Sequence, residues 1–136
     1  MEVVINEGYG KFGYDTELKA MFHYWKGFLL LEEVKHVAET TNPLMKELGL
    51  VNVVADHTEM ELFSDDVVSY ISSTWIPEQE KAGVKNIFVV LSEETFAKFS
   101  AEDMHEQAKA TSLIEISHFG NINDAIAAVK SKNAAI

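Results

Sequence analysis

Apolar residues recur along this chain with two periods, and the switches between them mark its elements. From Leu18 to Trp25 the side chains alternate, with Leu18, Ala20, Phe22 and Tyr24 on one face and Lys19, Met21, His23 and Trp25 on the other, which predicts a strand. Tyr14-Asp15-Thr16-Glu17 reads as the turn before it. The glycines Gly8, Gly10 and Gly13 punctuate the preceding segment, Val3–Ile5 and Tyr9–Phe12, as a strand with a bulge or break. Gly27 ends the strand. From Leu31 the period becomes helical through Val34, Val37, Ala38, Met45 and Leu48, with Pro43 inside the pattern and Gly49 as its C-cap. The apolar phase continues across Pro43, so one kinked helix and two short helices are both compatible with it.

Val51, Val53 and Val54 predict a short buried strand that delivers Asp56-His57-Thr58 at its C-terminal end. Ser64 is placed to cap the next helix, with Asp65 and Asp66 complementing its dipole and Val67, Val68, Ile71 and Trp75 as its buried stripe, until Pro77 interrupts it and Gly83 ends the segment. Val84–Leu91 is the strongest central strand by β-branched content. Ser92 opens a helical stretch that restarts at Ser100, with Asp103 completing a capping box. Leu113–His118 alternates as a last strand, and Asn121 with Asp124 starts a final amphipathic helix. Strands alternating with helices after a hairpin predict one α/β domain over residues 1–136: a mostly parallel four- to five-stranded sheet, an N-terminal antiparallel hairpin, and helices packed on the sheet.

Charge narrows the partners. There are 22 acidic residues against 11 basic ones, all Lys, for a net charge of -11. Such a surface repels polyanions, and the absence of Arg removes the best bidentate clamp for phosphate, so nucleic acid and anionic membrane surfaces are excluded as expected partners. No apolar run approaches the roughly 20 residues of a spanning helix, so stable membrane insertion is not expected. The start lacks the basic and apolar regions of a signal peptide, and the expected location is cytoplasmic. Without Cys there is no thiolate nucleophile, thiolate metal site or disulfide.

Asp56-His57-Thr58-Glu59-Met60-Glu61 is the densest polar cluster. His57 with Glu59 or Glu61 has the residue types for a divalent-metal or acid/base site, but no HExxH-type pair accompanies them. The stronger reading is a loop in which Asp56 accepts hydrogen bonds from backbone amides. His23 and His118 on strands, and His36 and His105 on helices, read as packed or edge residues. Gly8-Tyr9-Gly10 continues to Gly13 in a G-x-G-x-x-G spacing, yet a strand follows where phosphate binding needs a helix N-terminus, so the segment reads as hairpin-forming. No G-x-S-x-G elbow or Walker sequence is present, and no catalytic residue, metal ligand or cofactor is assigned. Trp25 and Trp75 lie beside backbone breaks at Gly27 and Pro77, as core or contact residues in the first instance and pocket walls in the second.

The order Trp25-x-Gly27, Asn52-Val53-Val54-Ala55-Asp56, Trp75-x-Pro77, Ala82-Gly83-Val84-Lys85 and Asn86-Ile87-Phe88-Val89-Val90 resembles the SpoIIAA-like proteins of the STAS (sulfate transporter and anti-sigma antagonist) superfamily, from about Phe12 to Val129. The resemblance implies helices on a four- or five-stranded sheet and a regulatory or ligand-binding role. That fold is also similar to the CRAL-TRIO lipid-exchange fold, which implies an apolar ligand. Where anti-sigma antagonists carry a phosphorylated Asp-Ser-Ser-Gly motif, this chain has Ser64-Asp65-Asp66-Val67. Asp65 replaces the phosphoacceptor, the Gly is absent, and further negative charge there would meet two carboxylates. The expectation is therefore a non-enzymatic cytoplasmic module that binds a protein partner or an apolar, lipid-like small ligand, with Trp25, Asp56, His57, Thr58, Ser64, Trp75 and Pro77 as its candidate surface. A homodimer is compatible with so small a domain. The alternatives are an enzyme using Asp56, His57 and Glu59, and an anti-sigma antagonist phosphorylated at Ser64. From Glu47 to Glu80 there are eight acidic residues and no Lys, which predicts one strongly acidic face.

Overall fold

The computed structural model describes residues 1–61, 64–91 and 113–134. The chain builds one six-stranded sheet whose spatial order follows its sequence order: β1 (Glu2–Glu7), β2 (Gly10–Asp15), β3 (Ala20–Gly27), β4 (Asn52–Met60), β5 (Asn86–Val90) and β6 (Glu115–Phe119). β1, β2 and β3 pair antiparallel, and β3 to β6 run parallel. The architecture is the expected α/β sheet with an antiparallel start, enlarged to six strands. The extra strand arises because the glycine-rich segment forms two strands joined at Gly8-Tyr9. Gly10 and Gly13 permit this by close approach: a Cβ at Gly10 would lie 2.3 Å from the Tyr24 carbonyl oxygen, and one at Gly13 would lie 2.4 Å from that of Glu2. The glycines serve strand packing. Of the bulge or break expected at the glycines, the break is found, and a separate register shift falls in β1 between Val3 and Ile5.

The turn from β2 to β3 is tied by Asp15, whose Oδ1 accepts from the backbone N–H groups of Glu17 (2.9 Å) and Leu18 (3.2 Å). Helix α1 (Leu31–Leu48) then crosses to β4 as a single helix with Pro43 inside it and Gly49 left-handed at its C-cap. A second crossover leads from β4 to β5 through α2 (Asp65–Tyr70), a π-helical turn (Ile71–Trp75) and α3 (Ile76–Lys81). Both crossovers step in the same direction across the sheet. Parallel crossovers are right-handed, so both must cover the same face, and one large core unites Met21, Trp25, Val53, Ala55, Ile87 and Val89 of the sheet with Val34, Val37, Val67, Ile71 and Trp75 of the helices. The opposite face is covered by α4 (Ile122–Ala134), which packs Ala125 and Val129 on Ala20, Phe22, Val54, Phe88 and Val90. Asn121 starts α4 as expected, its Oδ1 accepting from the Asp124 N–H at 2.9 Å.

A buried amide network fixes α4 at the N-terminal end of the parallel strands. Asn52, fully buried, donates through Nδ2 to the Leu18 carbonyl and to Asn133 Oδ1, each at 3.0 Å, and its Oδ1 accepts from Asn86 Nδ2 at 3.1 Å. Asn133 Nδ2 also donates to the Leu18 carbonyl, at 2.8 Å. The helical stretch expected from Ser92, including His105, lies outside the described residues.

Candidate functional site

Alternation along β3 sends His23 and Trp25 to the face beneath α2 and α3, where they meet Trp75 and Phe12. The His23 ring lies 5.3 Å from Trp75, 5.9 Å from Trp25 and 5.7 Å from Phe12, and the two indoles meet edge-on at 5.7 Å. Trp75 is held from α1, its Nε1–H donating to Asn42 Oδ1 at 3.2 Å. Between this cluster and the parallel strands lies a cavity of about 40 Å³, walled by His23 and Trp25 of β3, Val53, Ala55 and His57 of β4, Ile87 and Val89 of β5, and Ile71, Trp75, Ile76 and Gln79 of the helices.

Two backbone irregularities shape it. The first is in the helix: Pro77 has no N–H and its ring would crowd the carbonyl four residues earlier in an α-helix. The chain widens into a π turn there, with the Ile76 N–H reaching the Ile71 carbonyl five residues back. The Ser72 and Ser73 hydroxyls donate to the carbonyls of Val68 and Ser69. The α-helix is thus interrupted ahead of Pro77 without the run ending, which continues to Lys81 shortly before Gly83, and the π turn carries Ile71 and Trp75 onto the sheet.

The second is in β4. Tyr24 opposes Asp56 while Lys26 opposes Glu59, so β4 carries one extra residue at His57-Thr58. Asp56 secures this bulge by accepting from both the N–H (2.9 Å) and the hydroxyl (2.7 Å) of Thr58. The expected role of Asp56, accepting from backbone N–H, is found in a strand instead of a loop, because β4 continues to Met60. After the bulge the inward positions are His57 and Met60, three apart instead of two, both buried.

Of the candidate surface residues, Trp25, His57 and Trp75 converge on the cavity and Pro77 shapes its helical wall. Asp56 and Thr58 do not join them: alternation puts Asp56 on the opposite face of the sheet from His57, beside Tyr24, whose hydroxyl pKa is raised by burial and by the Asp56 charge. Ser64 occupies the N-cap position of α2, but its hydroxyl bonds the Asp66 carboxylate and caps no backbone N–H. Glu59 is exposed. Asp65 and Asp66 begin α2, and Glu78 and Glu80 lie in α3, roughly 20 Å further along the helical run. The residues that sequence reasoning passed over are His23 and Gln79, only 2% and 3% exposed. The signal for His23 was its inward place in the β3 alternation, next to Trp25.

Burial sets the electrostatics. Both His23 and His57 have pKa values lowered to about 3, His23 by burial alone and His57 by burial and then by the neighbouring His23 and His118. Both imidazoles are neutral near pH 7. His23 Nε2 is buried with no hydrogen-bond partner among the described residues. Among the described residues no three His, Cys, Asp or Glu side chains form a group that could hold a metal ion, and no helix is long and apolar enough to cross a membrane. Comparison with family models, with curated proteins and with solved structures found no match to this chain.

Proposed function

We propose that the protein is a non-enzymatic binding module whose ligand is a small, uncharged, largely apolar molecule held between the parallel strands and the π-bearing helix. The observation that carries this reading is the cavity walled by Trp25, Trp75 and Ile71 with neutral imidazole in its lining. Its volume, about 40 Å³, is well below the ~150 Å³ that accommodates benzene in a protein interior, which sizes the ligand, or the part of it that enters, below a lipid chain. Among the described residues no Lys, Asp or Glu lines the cavity, and a charged ligand would find no compensating charge from them. Kinship with the SpoIIAA-like proteins and a cytoplasmic location belong to the same proposal, and both accord with a regulatory module that reports on such a ligand.

Xenon is a suitable first probe, being apolar and small. Under xenon pressure the indole N–H resonances of Trp25 and Trp75 and the methyl resonances of Ile71 and Val89 are expected to shift saturably, while those of Ala125 and Val129 on the other face stay fixed. Absence of any saturable response at the cavity would overturn the reading.

A further inference from the structure

Two large apolar side chains stand in water where β3 gives way to α1, on a short loop that holds them there. Phe28 is 55% exposed and Leu30 52% exposed, while Leu29 between them is buried at 2%. Alternation along an extended segment accounts for the split, and Leu30 is extended at φ -89° and ψ 148°. Leu29 anchors the loop in the core, so its neighbours point outward. The backbone is tied at both ends: the Gly27 carbonyl accepts from the Glu61 N–H at 2.9 Å, the Leu30 N–H donates to Glu33 Oε1 at 2.9 Å, and the Leu30 carbonyl accepts from the N–H groups of Glu33 and Val34 at 3.0 and 3.1 Å. Neither exposed side chain serves the core, and a partner that covered them would meet a surface already ordered.

Among the described residues the rim of this loop is acidic. Glu32 and Glu33 lie in the first turn of α1, Glu61 follows β4 beside Gly27, and Glu7 ends β1. Tyr9 links the two sides. Its carbonyl accepts from the Lys26 N–H at 2.9 Å, and its hydroxyl pKa is raised by burial and then by the charges of Glu7 and Glu33. Lys26, the adjoining cation, stands opposite Glu59 in the β3–β4 register.

That charge selects the occupant. A second copy would bring the same carboxylates against these, and an anionic bilayer would be repelled in the same way. A cationic segment gains from the rim and the apolar pair together. Residues two apart in an extended chain are separated by about 6.6 Å, close to the ~5–6 Å between residues one turn apart on a helix, so a helical apolar stripe matches Phe28 and Leu30. We propose that the loop between β3 and α1 docks a lysine- or arginine-rich amphipathic helix of a protein partner, its apolar stripe over Phe28 and Leu30 and its cations toward Glu7, Glu33 and Glu61. None of these residues lines the cavity, so the docking surface stands or falls separately from the ligand reading.

The test titrates the intact protein with a leucine–lysine peptide patterned as an amphipathic helix and with a scrambled peptide of the same composition, following backbone amide resonances. The expected result is saturable binding of the patterned peptide, at least about tenfold tighter than the scrambled one, with shifts centred on Gly27 to Glu33. Joint replacement Phe28→Ser and Leu30→Ser should weaken it by at least about tenfold with thermal unfolding unchanged, and Glu7→Gln with Glu61→Gln should flatten its salt dependence. Equal affinity for the two peptides, shifts centred elsewhere, or undiminished binding by the Phe28→Ser, Leu30→Ser variant overturns the proposal. So does binding to phosphatidylcholine vesicles through Phe28 and Leu30 without binding of the peptide, which assigns the loop to a bilayer, or self-association in sedimentation that the same variant abolishes, which assigns it to a second copy.

Discussion

Acidification opposes folding here through the two buried imidazoles. An unfolded histidine takes up its proton near pH 6.5, whereas His23 and His57 in the folded chain do so only near about 3. Between these values the unfolded state binds more protons, so stability is complete above pH 6.5 and is lost as pH falls toward 3. At pH 5 the unfolded value lies about 1.5 units above ambient pH, which makes the loss roughly 2 kcal/mol for each histidine and about 4 kcal/mol for the pair. That is a large share of the 5–15 kcal/mol typical of a domain. An opposing effect exists, because the net charge of -11 at pH 7 relaxes as the pH approaches the sequence pI near 4.8.

Comparison with His23→Phe separates the two effects. Phenylalanine keeps a ring against Phe12, Trp25 and Trp75 and leaves the carboxylates untouched, so it removes one histidine's linkage and little else. Urea unfolding at pH 7.5, 6 and 5 should show that the variant loses about 2 kcal/mol less than wild type on acidification, close to a 1 M difference in the shift of the midpoint. Equal losses in wild type and variant, measured with unchanged m-values, would refute the assignment of His23 as a buried neutral group.

Four further outcomes follow from the packing. Asn52→Ala should cost about 2–4 kcal/mol, since it removes three hydrogen bonds from a fully buried amide; a double-mutant cycle with Asn133→Ala should return a coupling of about 1 kcal/mol in urea unfolding. Gly13→Ala should lose about 1–3 kcal/mol by forcing β1 from β2, whereas Gly8→Ala, with open space at its Cβ, should stay within ~0.5 kcal/mol. Trp75→Ala should cost about 3–5 kcal/mol and Trp75→Phe, which loses only part of the ring and the bond to Asn42, about 1 kcal/mol, both read by thermal unfolding. Lys132→Ala should change stability by less than ~0.5 kcal/mol despite its 2.6 Å contact with Glu115, because both side chains are largely in solvent.

Much of the fold was legible because period and burial agree. The alternation of β3, the α1 stripe and the β-branched β5 each correspond to one buried face, and the caps at Gly49 and Asn121 act as their chemistry predicts. The misread features are local backbone irregularities that leave the apolar pattern nearly intact. Pro77 reads as an interruption, but not as the π turn that absorbs its missing N–H and lets the helical run continue to Lys81. Asp56-His57-Thr58 reads as a loop because it is polar, yet parallel pairing with β3 carries the strand on to Met60. Bulges and π turns each insert one residue, and a one-residue insertion shows in sequence only as a phase slip of the kind found between His57 and Met60. The site was legible in its residue types, two tryptophans and His57, but not in its membership, since the partner that completes it, His23, looked like an ordinary strand residue.

Several departures from local rules meet at the cavity. A buried polar residue at an inward strand position, a widened helical turn, a β-bulge and an interior proline would each weaken a domain built for stability alone. Hydrophobic residues of similar size at positions 23 and 57 would remove the acid sensitivity that the two buried imidazoles bring. The amide cluster around Asn52 is hydrogen-bonded and the core beneath α4 is apolar, while the register shift in β1 and Pro43 within α1 lie outside the cavity lining. The β4 bulge begins at His57, which alternation already turns inward after Val53 and Ala55, the π turn seats Trp75 on the sheet, and the two residues meet His23 around the same small volume. That shared location, more than any one residue, favours a binding site over incidental imperfect packing.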